Sequence, residues 1–118
     1  MNLEDLLPYQ TDLKVVPVGH TLFSEGDSGQ DMYVLVTGRM DIRIKDTIVE
    51  SAAPGAIIGE MSLIDGAPRS ATAVAREECT LIAIDRMRFR QMTREIPDFA
   101  LDVMKGMADR LRRLGKLL

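Results

Sequence analysis

The spacing of apolar and polar residues along the chain changes character near residue 85. Before that point apolar residues come in short runs broken by glycine, proline and acidic clusters, which is the pattern of short strands and turns. Asp12–Val16, Thr21–Ser24 and Met32–Thr37 are the first predicted strands, punctuated by Pro17, Gly19, Gly26 and Gly29. Thr37-Gly38-Arg39-Met40 predicts a tight hairpin, with Gly38 supplying a positive φ. Met40, Ile42 and Ile44 then alternate with Asp41, Arg43 and Lys45, so one face is expected in a core and the other in water. Thr47–Ala52 follows, Pro54-Gly55 marks a turn, and Ala56–Ile58 leads onward. Further along, Ala71, Ala73 and Ala75 share one strand face, and Thr72, Val74 and Arg76 the other. Glu77-Glu78 reads as a polar turn before the largely apolar strand Cys79–Ile84.

Beyond Ile84 the period becomes helical. Asp85 is placed to cap a helix over about 86–96 carrying Met87, Phe89, Met92 and Ile96, stopping before Pro97. Asp98 is placed to cap a second one over about 99–115, on which Phe99, Val103, Met107, Leu111 and Leu114 recur near helical spacing. Gly106 and Gly115 weaken this last helix locally. At the other end, residues 2–7 predict a short helix capped by Asn2 and ended by Pro8. Many short strands followed by helices indicate a sandwich or rolled barrel with helices packed on it. Met87, Met92, Met104 and Met107 fit as core filler on those helices.

The chain has 118 residues, 46% of them hydrophobic. That suits a single globular domain over residues 1–118 with one core. No apolar run is long enough to cross a bilayer, and the acidic start Met1–Asp5 does not resemble a signal peptide. One cysteine, Cys79, set in an apolar run, reads as a buried small hydrophobe. A cytoplasmic protein without membrane insertion is expected. The net charge of −3 is uneven: residues 1–60 carry 4 basic and 10 acidic side chains, and residues 61–118 carry 11 and 8. An acidic first half argues against a general nucleic-acid binder.

The densest chemistry lies in Gly59–Thr72. Gly59 opens a short apolar turn whose backbone N–H groups can face an anion. Glu60 follows, placed to accept hydrogen bonds from hydroxyls. A second turn, Asp65-Gly66-Ala67-Pro68, delivers Arg69, and the small residues Ser70 and Ala71 let a ligand approach the backbone. A guanidinium donates two parallel hydrogen bonds to a phosphate, which a lysine cannot reproduce. An anion that also carries a sugar hydroxyl would use all three features. The plainer reading makes Arg69 a solvated turn residue and Glu60 a first-turn carboxylate on a helix dipole.

This segment resembles the phosphate-binding cassette of the cyclic nucleotide-binding domain family, the module of bacterial catabolite-activator proteins, cyclic-nucleotide-dependent kinases and cyclic-nucleotide-gated channels. The family pattern of Gly-Glu, a few apolar and small residues, then Pro-Arg-small-Ala stands here as Gly59-Glu60 and Pro68-Arg69-Ser70-Ala71. Gly19–Asp27 and Met32–Gly38 resemble its earlier strands and turns. The resemblance implies a mainly β fold: an eight-stranded β-roll, jelly-roll-like, over about 13–84, with a short N-terminal helix and C-terminal helices. It implies a sensor that binds cAMP, with cGMP as the alternative ligand, and relays binding through movement of those helices.

By the same resemblance, Arg69, Ser70 and Ala71 hold the phosphate, while Gly59, Glu60, Met61 and Ser62 supply the ribose contact and the cassette backbone. Val49, Ile57, Ile58 and Arg110 are candidates for the base and sugar pocket. Apolar strand residues are core by default, however, and Arg110 also fits a solvated helical set with Arg112, Arg113 and Lys116. Serine at position 70 leans toward cAMP. Partners beyond the nucleotide would be a second copy or an effector protein meeting the C-terminal helices, with no direct nucleic-acid contact. A metal-dependent barrel enzyme would need several histidines, and His20 is the one present. No nucleophile–base pair or Walker-type loop stands out, so neither enzyme nor metal is expected. Two alternatives remain: a β-roll interaction module that has lost ligand, and the sensor part of a transcription regulator or channel.

Overall fold

A computed structural model describes residues 2–10 and 12–115; Met1, Thr11 and Lys116–Leu118 lie outside the described residues. A 3₁₀ helix, Leu3–Tyr9, leads into eight strands and three helices. They run β1 (Leu13–Val16), β2 (Thr21–Phe23), β3 (Met32–Thr37), β4 (Met40–Ile44), β5 (Thr47–Ala52), β6 (Ile57–Ile58), α1 (Glu60–Asp65), β7 (Thr72–Ala75), β8 (Cys79–Ile84), α2 (Arg86–Glu95) and α3 (Phe99–Gly115). The strands form two four-stranded sheets of order β1-β8-β3-β6 and β2-β7-β4-β5. Every pairing is antiparallel. This is the expected β-roll.

Two apolar layers hold it together, where one core was expected from the length. Between the sheets lie Leu35, Met40, Ile42, Ala52, Ile58, Cys79, Leu81 and the small residues Ala71, Ala73 and Ala75. On the far face of the β1-β8-β3-β6 sheet lie Met32, Val34, Ile82 and Ile84, covered by Leu6, Met92, Phe99 and Val103 from the helical segments. A sheet buried on both faces explains why β3 and β8 read as near-continuous apolar runs rather than alternating ones. Cys79 is fully buried in the inter-sheet layer, where burial pushes its thiol pKa up and its Sγ donates to the Arg39 carbonyl at 3.2 Å.

Several sequence expectations are corrected. Thr37–Met40 is not a hairpin, because β3 and β4 belong to different sheets. Gly38 instead carries the chain from one sheet to the other with φ 96°. A Cβ there would lie 2.3 Å from the Glu78 carbonyl oxygen. Asp41 does not face water. It is 6% exposed and pairs with Arg76 of the neighbouring segment at 2.7 Å.

Pro8 does not end the first helix, which runs on to Tyr9. The buried Tyr9 ring and an Arg88 bond to its carbonyl at 2.7 Å secure that last turn. Asp85 caps α2 as expected, accepting the Arg88 N–H at 2.8 Å. Asp98 enters α3 differently, with φ 64° after Pro97. The Phe99 N–H meets the Ile96 carbonyl at 3.2 Å. Proline followed by a positive φ inside such a bond is the geometry of a type II turn.

Of the methionines expected as filler, Met92 is buried, but Met87 is 80% and Met104 55% exposed. Along α3, Phe99 and Val103 are buried while Leu111 is exposed, since the last turns direct Arg110 and Leu114 to the body of the domain and leave Leu111 off that face.

The close approach at Gly38 yields a test. Gly38→Ala would force a side chain into a left-handed backbone position, costing about 1–3 kcal/mol before any clash is counted. Urea unfolding is expected to show at least that loss, and an unchanged midpoint would contradict the contact with Glu78.

Candidate ligand-binding site

The cassette is built by backbone turns. Gly59 takes φ 79°, a left-handed conformation open to glycine, and so directs the chain from β6 into α1. The helix closes at Gly66, also left-handed, whose N–H returns to the Ser62 carbonyl at 2.9 Å. Asp65 then accepts the Ala67 N–H at 2.9 Å. The chain reaches Arg69, whose backbone is clamped to the β2–β3 loop. Its N–H donates to the Asp27 carbonyl at 2.9 Å, and its carbonyl accepts the Gly26 N–H at 2.8 Å. Segments distant in sequence thereby fix the base of the arginine.

A cavity of about 160 Å³ opens between the cassette, the inner face of the β2-β7-β4-β5 sheet and the end of α3. Gly59, Glu60, Met61, Ser62, Arg69, Ser70, Ala71, Val49, Ile58 and Arg110 all line it. Glu60, Ser62 and Arg69 are buried, whereas Met61 and Ser70 sit at the rim, the serine hydroxyl 3.9 Å from the Met61 sulfur. Ile57 does not line this cavity. Strand alternation turns its side chain to the helix-covered layer, away from Ile58. Its carbonyl nevertheless accepts from Arg110 at 3.1 Å.

Arg69 is 5% exposed and has no carboxylate partner among the described residues. One of its guanidinium nitrogens donates to the Gly59 carbonyl at 3.1 Å, while Nε is buried with no partner. The guanidinium carbon lies 4.3 Å from the centroid of the Phe23 ring. Gly59 and Gly29 form the other walls. A Cβ on Gly59 would lie 2.7 Å from one terminal nitrogen, and a Cβ on Gly29 would lie 2.9 Å from the other.

Glu60 is 2% exposed and bonds to Arg110 of α3 through Oε1, while its Oε2 is buried without a partner. Arg110 also contacts the Glu50 carboxylate at 3.2 Å, and Arg113 reaches the same carboxylate at 2.6 Å. Burial pushes the Glu60 pKa above the usual carboxylate range, only partly offset by Arg110. The last turns of α3 are thus pinned to the cavity by charge.

Phe23, Ile42, Ile44, Glu50, Arg113 and Leu114 also line the cavity and were not singled out from sequence. Glu50 has a specific cause. The β4–β5 register pairs Ile42 with Glu50 and Arg43 with Ile48, leaving Val49 as an extra residue. Such a bulge breaks alternation, and the neighbours Val49 and Glu50 both line the cavity. No alternation pattern in the sequence signals this.

The raised pKa of Glu60 has a signed consequence. Folding favours its protonated form, so its contribution to stability is greatest below the ordinary carboxylate range and declines as pH rises through the raised value. In Glu60→Gln that decline is expected to vanish from a pH series of urea unfolding curves. An identical slope in both proteins would mean burial does not govern this carboxyl.

A family model described as cyclic nucleotide-binding domain matches residues 13–95. The chain is 37% identical over 79 residues to a cAMP-dependent protein kinase regulatory subunit of Eremothecium gossypii, covering 67% of this chain and 17% of that protein. It is 33% identical over 119 residues to the cyclic AMP receptor protein of Thermus thermophilus, covering 91% of this chain and 55% of that one. The crystal structure of the Thermus thermophilus catabolite activator protein superposes with a TM-score of 0.81 at 30% identity, over 95% of this chain and 56% of the other. The chain spans about half the length, or less, of these curated relatives.

Proposed function

The chain belongs to the cyclic nucleotide-binding domain family, and from that premise we propose that residues 1–118 act as one sensor domain that binds 3′,5′-cAMP reversibly and does no chemistry on it. One observation carries this reading. Two buried polar atoms of opposite charge, Arg69 Nε and Glu60 Oε2, lack partners, and their side chains line one cavity. Unmade hydrogen bonds in a buried site are costly, by about 1–3 kcal/mol for each group. A molecule carrying an anionic phosphate and a free sugar hydroxyl would complete both.

In this reading Arg69 and the backbone of Ser70 and Ala71 take the phosphate, and Glu60 Oε2 accepts the ribose 2′-hydroxyl. A free 2′-hydroxyl exists in a 3′,5′-cyclic phosphate and not in a 2′,3′-cyclic one. The apolar wall of Val49, Ile58, Ile42 and Ile44 suits a purine face, and Arg110 closes the site over the base. Preference for cAMP over cGMP rests on Ser70 and on relatives named for cAMP.

Relay to the C-terminal helices has a physical path. Leu63 of the cassette helix shares an apolar cluster with Phe99 and Val103 of α3, and Met107 packs against that cluster. Arg110 meanwhile holds Glu60 directly. A nucleotide that engages Glu60 competes with or reinforces the Arg110 bond, and can shift α3 only by its differential affinity for the two arrangements. The exposed Leu101, Met104 and Leu111 on α3 suit pairing with a second copy or an effector. Among the described residues no helix is long and apolar enough to cross a membrane. Action in the cytoplasm fits that finding.

Calorimetric titration tests the proposal. The unaltered protein should bind 3′,5′-cAMP, and bind 2′,3′-cAMP far more weakly. Arg69→Ala should lose about 2–5 kcal/mol of binding free energy, as removal of one partner from a buried charge pair does. Equal affinities for the two proteins would refute the role of Arg69. A folded protein that takes neither cAMP nor cGMP would favour a β-roll interaction module.

A further inference from the structure

Arg69 is poorly held by hydrogen bonds for a buried cation. Of its guanidinium donors, one bonds the Gly59 carbonyl at 3.1 Å, and Nε has no partner. An arginine stem has many rotamers, so something else must fix the plane of the charged group. The ring of Phe23 lies against it, with 4.3 Å from guanidinium carbon to ring centroid. Gly29 and Gly59 leave no room for movement on the other sides, since a Cβ on either would come within 3 Å of a terminal nitrogen. Phe23 is only partly buried and lines the cavity itself from β2, whereas Arg69 lies in the loop between α1 and β7. It is also steadied by a tilted contact with Tyr33, ring centroids 6.3 Å apart.

We propose that Phe23 is the positioning residue for Arg69. Its π-face holds the guanidinium in a slot closed by Gly29 and Gly59, with the charge left free for an anionic ligand. The chemistry favours an aromatic ring here over a carboxylate. A carboxylate would orient the arginine equally well but would neutralise it and compete with the incoming phosphate. A ring attracts the cation through its quadrupole and offers no formal charge. Arg69 therefore waits in place, oriented and unneutralised, and the ligand is spared the cost of ordering it.

The inference rests on the reading of Arg69 as the phosphate ligand, and its test has one arm with nucleotide and one without. In the ligand-free arm, the Arg69 side-chain Nε–Hε resonance of the whole chain is followed by NMR. The ring current should set it apart from the other arginines, Phe23→Leu should abolish that shift, and Phe23→Tyr should retain it. In the second arm, titration with 3′,5′-cAMP should show Phe23→Leu weaker by about 3- to 30-fold and Phe23→Tyr close to the unaltered protein. A resonance that does not respond to Phe23→Leu, or undiminished cAMP affinity in that variant, overturns the proposal. If the variant does not fold, the unaltered protein decides, because an unshifted Arg69 resonance means no ring lies over it. Failure of the unaltered protein to bind cAMP or cGMP while the resonance still depends on Phe23 would sink the nucleotide reading and leave the slot standing.

Discussion

The fold keeps two opposite charges buried beside one cavity without letting them satisfy each other. Arg69 rests on an aromatic ring against glycine walls, and Glu60 is tied instead to an arginine from the last helix. Had the two paired directly, each would have lost its spare hydrogen-bonding capacity, and the cavity would hold a finished ion pair. A buried charge with open valences is tolerable only when the surrounding scaffold is rigid enough to prevent collapse onto it. The rest of the molecule can be understood as that scaffold.

Its rigidity comes from the two-layer core. The β1-β8-β3-β6 sheet, which carries β6 ahead of the cassette, is covered on one face by the second sheet and on the other by helices. Small residues matter as much as large ones. Ala71, Ala73 and Ala75 let the sheets approach beside the site, and Gly38 lets the chain pass from sheet to sheet against the Glu78 carbonyl.

The last helix serves two masters. Its first turns are anchored by Phe99 and Val103 in the apolar layer that also contains Leu63 of the cassette helix. Its later turns are held by Arg110 and Arg113 on Glu50 and Glu60. The apolar anchor joins α3 to the cassette helix through Leu63, while the ionic one includes the Glu60 carboxylate beside the cavity. The same helix is thereby divided into an apolar root and an ionic end.

Much of this was legible in the residues alone. The order of the strands and of the C-terminal helices, the inward alanines of β7 and the Asp85 cap follow from local rules: side-chain alternation, turn chemistry and capping act between near neighbours. The grouping of Gly59–Ser62 with Arg69–Ala71 came instead from the family resemblance. What depends on partners far along the chain was not legible. Gly38 reads as a hairpin glycine until β3 and β4 are seen in separate sheets. Asp41 reads as solvent-facing until Arg76 is laid beside it. The bulge at Val49, which brings both Val49 and Glu50 to the cavity, has no counterpart in the pattern of the sequence. The ring beneath Arg69 comes from a strand that sequence separates widely from the cassette. Spacing within a segment decides which way its side chains point on average; only the packing of segments against one another decides which charges meet, and which are kept apart.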